Sequence, residues 1–301
     1  MIEELVSVIV PSYNYEKYIV ECLKSIERQE YRNIELIIVD DCSKDNSKKL
    51  IKQFISNDDV MDRFANIEYI EHNENHGAHY TINEGIEYAK GKYIAVINAD
   101  DLYETNRFAE IIPKMQSKNA NIAFSSIEII DSNSRMAEGE EAERFRCIQD
   151  GISAGENVSY ALMHQNVAIS TGNLVFTKEL YKKLDGFKEY KYIHDWDFIL
   201  RASLLEEPLY VMNTKYYYRL HNQNSFRELG DIADQEVNLV LNNFFNEIKS
   251  NNAINKNLSS NRVKENIAST YLCRYWDNSN ILNMIKKRIT NKVKNLYRKV
   301  F

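Results

Sequence analysis

The chain has no run approaching the ~18 apolar residues that a membrane-spanning helix needs, so a transmembrane segment is excluded on composition. Its first residues, Met1 to Glu4, lead into a strand without the basic leader of a signal peptide, and the expectation is a cytoplasmic protein. The four cysteines, Cys22, Cys42, Cys147 and Cys273, lie far apart with no Cys-x-x-Cys pair. That pattern argues against a structural zinc site and a disulfide framework, and reduced thiols are expected. The loop after the first apolar run, Pro11 to Lys17, contains no glycine. A dinucleotide oxidoreductase, which needs G-x-G-x-x-G there, is disfavoured, and so is a nucleotidyltransferase with its Gly-rich basic loop.

What is present is enough to fold. With 301 residues, 44% hydrophobic and 27% charged, the chain can bury a substantial core in one large domain, with or without a small appendage. The net charge of -6 hides an asymmetry. Residues 244 to 301 carry 12 Lys/Arg against 3 Asp/Glu, whereas residues 1 to 243 carry 26 against 41. An acidic body is a poor partner for nucleic acid, but a basic end can meet an anionic membrane surface.

Short β-branched runs at residues 6 to 10 and 34 to 39 flank a helical pattern at Tyr18 to Gln29, where Ile19, Cys22, Leu23 and Ile26 recur at helical spacing. The alternation continues with helices over Asn46 to Ile55 and His79 to Ala89 and strands at Ile67 to Ile70 and Tyr93 to Ile97. This predicts an α/β fold on a doubly wound parallel sheet. Farther along, the pattern predicts a helix near Arg107 to Lys118 and strands near Ile122 to Ile130 and Asn173 to Thr177. Two more helices follow, Lys178 to Leu184 and Asp195 to Leu205. The acidic stretch Asp131 to Asn157 reads as a mobile loop or lid, and everything after Asp231 reads as helical. At the end, Ile281, Ile285, Ile289, Val293, Leu296 and Val300 recur three or four apart among seven Lys/Arg and no acid, which predicts a basic amphipathic helix. Such a helix can lie on a membrane, pack on the body, or join a second copy of the chain.

The chemistry sits where strands end. Asn98-Ala99-Asp100-Asp101 follows an apolar run, so two carboxylates stand at the open edge of a sheet, where α/β proteins keep their ligands and where a hard cation could bridge a diphosphate. Together with Val6 to Asn14, Val39 to Ser47 and His194-Asp195-Trp196-Asp197, in that order and spacing, these residues resemble the signatures of family 2 glycosyltransferases of bacterial surface-polysaccharide type. The resemblance covers roughly residues 5 to 226. It implies the GT-A fold, with a mostly parallel, Rossmann-like central sheet flanked by helices and a helical C-terminal extension. It implies a catalytic domain over 1–226, divided into a nucleotide-sugar half (1–101) and an acceptor half (102–226), with 227–301 as a helical appendage. The implied activity is inverting transfer of a sugar from a nucleotide-diphosphate donor, UDP expected, to a hydroxyl of a glycan or polyprenyl-linked glycan. A catalytically inactive scaffold of the same fold is the non-enzymatic alternative.

Residue by residue, the resemblance assigns Pro11, Tyr13 and Asp41 to the nucleobase and ribose. Asp100 goes to ribose or metal, Asp101 and His221 to Mn²⁺ or Mg²⁺, and Arg219 to phosphate. Asp195 is the general base, and Gly172, Asn173 and Trp196 lie on the acceptor side. Asn98 stands where relatives carry Asp and brings no charge. Without the resemblance, Asp41 and Asp195 read as ordinary capping residues and Asp197 as the i,i+4 partner of Arg201.

Overall fold

The computed structural model describes residues 3–154, 157–222, 224 and 230–258. Three strand–helix units open it: β1 (Val6–Ser12), α1 (Ile19–Glu27), β2 (Ile34–Asp40), α2 (Ser47–Ile55), α3 (Asp58–Arg63), β3 (Asn66–Glu71) and α4 (Ala78–Tyr88). β4 (Tyr93–Val96), the two-residue β5 (Leu102–Tyr103), α5 (Arg107–Lys118) and β6 (Ile122–Ile130) follow. Next come α6 (Glu140–Ala154), α7 (Val158–Leu162), a 3-10 turn at Thr171–Asn173, β7 (Leu174–Thr177), α8 (Lys178–Lys183), α9 (His194–Leu205), β8 (Leu209–Arg219) and α10 (Gly230–Lys249).

The eight strands form one sheet in the order β3-β2-β1-β4-β7-β6-β8-β5. The first four pair in parallel, as a right-handed βαβ series demands. β7 then runs antiparallel to both β4 and β6, and β5 antiparallel to β8. The sheet is therefore mixed: the parallel pairing that the alternation suggested runs through β3-β2-β1-β4 and returns between β6 and β8. β2 is buried along its whole length and carries Ile34, Leu36, Ile37, Ile38 and Val39, because helices cover both of its faces. One core layer joins Ile9, Ile37, Val39 and Ile94 with Ile82 and Ile86 of α4 and the Phe176–Phe187–Phe198 group; the other sets Val8, Val10, Leu36 and Ile38 against α1, α2 and α5.

The stretch expected as a mobile loop, Asp131 to Asn157, holds α6. Ala142, Phe145, Ile148 and Ile152 recur three or four apart, and Ala142 is buried while Phe145, Ile148 and Ile152 pack against the core. β8 escaped sequence reading because its pairing with β6 slips between Ser125 and Ser126, which breaks the period-2 pattern. α10 packs on α9 through Val240, Leu241, Phe244, Phe245 and Ile248, and its Glu236 accepts backbone N–H groups of Lys191 and Tyr192. The expected basic helix from residue 281 lies outside the described residues.

Candidate active site

The carboxyl ends of β1, β2 and β4 open on one cavity of about 1070 Å³, which α6, α9 and α10 enclose from the other side. On the β1 side, Pro11, Ser12, Tyr13 and Tyr15 line it, with Tyr13 exposed. That loop is pinned to the turn after β2: Asn14 N–H donates to Ser43 Oγ (2.9 Å), Tyr15 N–H to Ser47 Oγ (2.9 Å), and Lys44 N–H to Asn14 Oδ1 (2.7 Å). Ser43, Ser47 and Asn14 thus hold the two loops together.

Asp41 lines the cavity and is itself nearly enclosed. Its Oδ1 accepts His76 N–H (2.8 Å) and contacts His72 Nδ1 (2.7 Å), and its Oδ2 accepts Gly77 N–H (2.8 Å). Gly77 adopts φ 88°, a backbone state open to glycine at little cost, which lets its N–H turn back toward the carboxylate.

The paired carboxylates after β4 separate completely. Asp100 lines the cavity, and its Oδ2 lies 2.8 Å from Nε2 of His221, whose ring stacks on Tyr18 at 5.2 Å between centroids. Asp101, expected as a metal ligand, has 0% exposure and lies beneath the cavity floor. Its Oδ2 accepts the Tyr216 hydroxyl and Asn98 Nδ2 (3.0 Å), and its Oδ1 accepts Arg219 N–H (2.7 Å). Burial, then the neighbouring Asp100, pushes its carboxyl well above the usual range, against those three donors. Asn98 gives its amide to Asp101 and Ser170 Oγ (2.9 Å). A carboxylate in its place would have no proton for either.

Arg219, expected on phosphate, is equally withdrawn. Its guanidinium has 0% exposure, stacks over Tyr18, and donates to Asp100 O, Asp131 O (3.1 Å), Ser134 Oγ (2.8 Å) and Glu21 Oε2 (2.9 Å). It ties α1, the end of β4 and the turn after β6 together. On the acceptor side, Gly172 and Asn173 are also buried. Asn173 satisfies Arg107, Ser125 and the carbonyl of Ala168, so it is part of the core. Gly172 makes room for Tyr216: a Cβ there would overlap the tyrosine hydroxyl that holds Asp101. Gly172→Ala is therefore expected to destabilise the fold by about 1–3 kcal/mol, the usual cost of overpacking, in a urea titration. Their neighbours Ser170 and Thr171 are the ones that reach the cavity.

Asp195 stands at the start of α9 on the opposite wall. Its Oδ1 accepts Trp196 N–H (2.7 Å) and its Oδ2 accepts Asn166 Nδ2 (2.9 Å). Burial raises its carboxyl from 3.8 to about 7, only partly offset by those two bonds. The adjacent His194 is pushed down to about 4, chiefly by burial, and so faces the cavity neutral, with Nε2 2.9 Å from Thr171 Oγ1. Trp196 contributes one edge to the cavity, while its indole N–H donates to Leu162 O (2.9 Å) and its ring sits in the core. Asp197 pairs with Arg201 at 2.7 Å, the i,i+4 contact its spacing predicted. Asn166, Tyr216, His72 and Glu84 were not singled out from sequence, because each partners a residue 12 to 115 positions away and no local spacing marks it.

The acid-lined cavity with one carboxylate tuned near neutrality fits group transfer to a hydroxyl. Comparison with known proteins agrees. The profile of glycosyl transferase family 2 matches residues 7–183. Among curated relatives, WfgD of Escherichia coli, a UDP-Glc:alpha-D-GlcNAc-diphosphoundecaprenol beta-1,3-glucosyltransferase, is 28% identical over 76% of this chain and 84% of its own. An uncharacterized glycosyltransferase of Rickettsia typhi is 32% identical over 77% of this chain and 70% of its own. Glycosyltransferase GlyG of Streptococcus pneumoniae is 39% identical, but the match spans only 41% of this chain and 39% of that protein. Among solved structures, S. aureus TarS with UDP-GlcNAc superposes with a TM-score of 0.58 at 19% identity, over 74% of this chain and 61% of that one. The Pyrobaculum calidifontis mannosyltransferase PcManGT with GDP-Man and Mn²⁺ gives 0.56 at 16% identity, over 99% and 88%. At such identities the structural likeness is one of fold. The chain belongs to glycosyl transferase family 2 and is a glycosyltransferase of the GT-A fold.

Proposed function

We propose that the protein moves a glycosyl group from a nucleotide-diphosphate sugar, UDP-linked by preference, to a hydroxyl of a glycan or polyprenyl-diphosphate-linked glycan, with inversion at the anomeric carbon. The observation that carries this reading is that a carboxylate raised to about 7, Asp195, and Asp100, whose carboxylate meets His221 Nε2 at 2.8 Å, line one cavity from opposite walls. Pro11, Tyr13 and Asp41 form the nucleobase end. Asp195 takes the acceptor's hydroxyl proton as the oxygen bonds to the anomeric carbon and the bond to the departing diphosphate breaks. The hydroxyl's own pKa is far above 7, so the carboxylate must act while the bond forms. Asn166 and the Trp196 N–H fix the direction in which it points.

The side chains present fit a divalent metal held mainly through a donor's phosphates. Asp100 and His221 already place a carboxylate oxygen and an imidazole nitrogen within 2.8 Å of each other, and among the described residues no cluster of three or more acidic, His or Cys side chains forms a closed cage. Mn²⁺ or Mg²⁺ bound there would supply charge neutralisation for the leaving diphosphate. Among the described residues no helix is long and apolar enough to cross a membrane. Access to a lipid-linked acceptor is assigned to the basic segment 281–301, on charge and apolar spacing alone.

Thermal denaturation with UDP, dTDP and GDP, each with and without Mn²⁺, tests the donor class. A metal-dependent rise in melting temperature with one base is expected, since a ligand that binds only the folded state stabilises it. No rise with any of the three would refute the nucleotide-sugar reading. NMR of the product's anomeric centre tests the stereochemistry; retention of the donor configuration would exclude the single displacement.

A further inference from the structure

A chain of three titratable groups lies at the nucleobase end, Asp41 and His72 buried and Glu84 partly exposed, and of these only Asp41 is used by the chemistry above. His72, in the segment just after β3, has Nδ1 2.7 Å from Asp41 Oδ1 and Nε2 in very close contact with Oε2 of Glu84 on α4. The rings of His76 and Tyr80 close the remaining sides, at 4.9 and 5.9 Å between centroids, and the His72 N–H is held by Asp40 O (2.9 Å). Asp41 and Glu84 are thus the charged groups facing the ring. Each ring nitrogen confronts a carboxyl oxygen, and against two carboxylates both are satisfied only if both nitrogens carry protons.

Resting on the assignment of Asp41 to the nucleobase, we propose that His72 is a positioning residue that, as an imidazolium clamped between Asp41 and Glu84, holds the Asp41 carboxylate aimed into the donor pocket, making nucleotide affinity depend on the ring's proton. The geometry explains how. Asp41 Oδ1 is occupied by His72 and His76 N–H, whereas Oδ2 carries only the Gly77 N–H and keeps acceptor capacity for a base N–H. With His72 charged, the Glu84–His72–Asp41 chain carries one net negative charge. Without that proton it carries two, next to a ligand that is itself an anion, and the Glu84 contact becomes a repulsion between two acceptors. The two carboxylates favour the charged ring, although burial opposes it, and the ring's pKa is raised on balance.

The test is nucleotide binding by calorimetry from pH 6 to 9, using whichever of UDP, dTDP and GDP binds the wild type with Mn²⁺. The wild-type affinity is expected to fall as pH rises through the His72 titration. His72→Gln, which keeps one donor but not the charge, is expected to bind ~10-fold more weakly at pH 6 and to lose that pH dependence. Glu84→Gln preserves an acceptor for Nε2 but removes one carboxylate, so affinity at pH 6 is kept and the midpoint moves to lower pH. Comparison with the wild type cancels the phosphate's own titration. Equal affinity and equal pH dependence in both variants would overturn the proposal while leaving the donor reading intact. Failure of all three nucleotides to bind the wild type would instead remove the donor reading, and the proposal with it.

Discussion

Asp195→Asn is expected to lose transfer by ~10²-fold or more while folding normally, as removal of a general base commonly does. The substitution is nearly isosteric, and the amide can keep the bond from Trp196 N–H that Asp195 Oδ1 accepts. The pH profile supplies the sharper reading. With the carboxyl at about 7, kcat/KM of the wild type should fall roughly tenfold per pH unit below that value, because only the ionised form accepts the proton. The stability sign runs the other way. The folded-state value lies above the 3.8 of an ordinary Asp, so the folded protein binds this proton more tightly than the unfolded chain. Its contribution to stability is full below about 4 and is lost as pH rises to about 7. Asp195→Asn should therefore melt no lower than wild type at pH 8. Near-wild-type turnover in the variant would place the base elsewhere.

The second large effect is expected at the other wall. Asp100→Ala and His221→Ala should each lower metal-dependent transfer by ~10²-fold or more, measured at saturating donor across a Mn²⁺ titration. If both side chains hold one ion, the double variant should cost little more than the worse single one, since the members of one unit are not additive. Asp100→Ala leaves the Arg219 contact in place, because that bond is made to the backbone carbonyl of Asp100. The fold should therefore survive. Transfer insensitive to chelation, with both variants within a few-fold of wild type, would remove the metal from the mechanism.

These expectations divide the family's motifs more finely than their spelling does. In Asn98-Ala99-Asp100-Asp101 the two carboxylates are adjacent, and the family resemblance gave the first to ribose or metal and the second to the metal. The chain turns after β4, so that Asp100 faces the cavity and Asp101 drops to the floor among Tyr216, Asn98 and the Arg219 backbone. Likewise, Arg219 and His221 are two residues apart, yet Arg219 braces the backbone carbonyls of Asp100 and Asp131, whereas His221 meets the carboxylate of Asp100. The family resemblance put Gly172 and Asn173 on the acceptor side. Their actual partners, Tyr216 and Arg107, make them part of its support.

The sequence by itself determined the family, the parallel half of the sheet and the position of each acidic motif at a strand or helix end. The family follows from the resemblance of four short motifs in their order and spacing, and the rest from local periodicity, where residues close together in the chain set the local structure. The tertiary structure decided the mixed half of the sheet, the helix α6 over the cavity, and which member of each motif lines that cavity. Antiparallel insertion of β7, the slipped β6–β8 register and the 115-residue span between Tyr216 and Asp101 are all non-local. The tuning of Asp195 has the same origin: burial by surrounding elements, and no neighbour in sequence, raises that carboxyl to about 7.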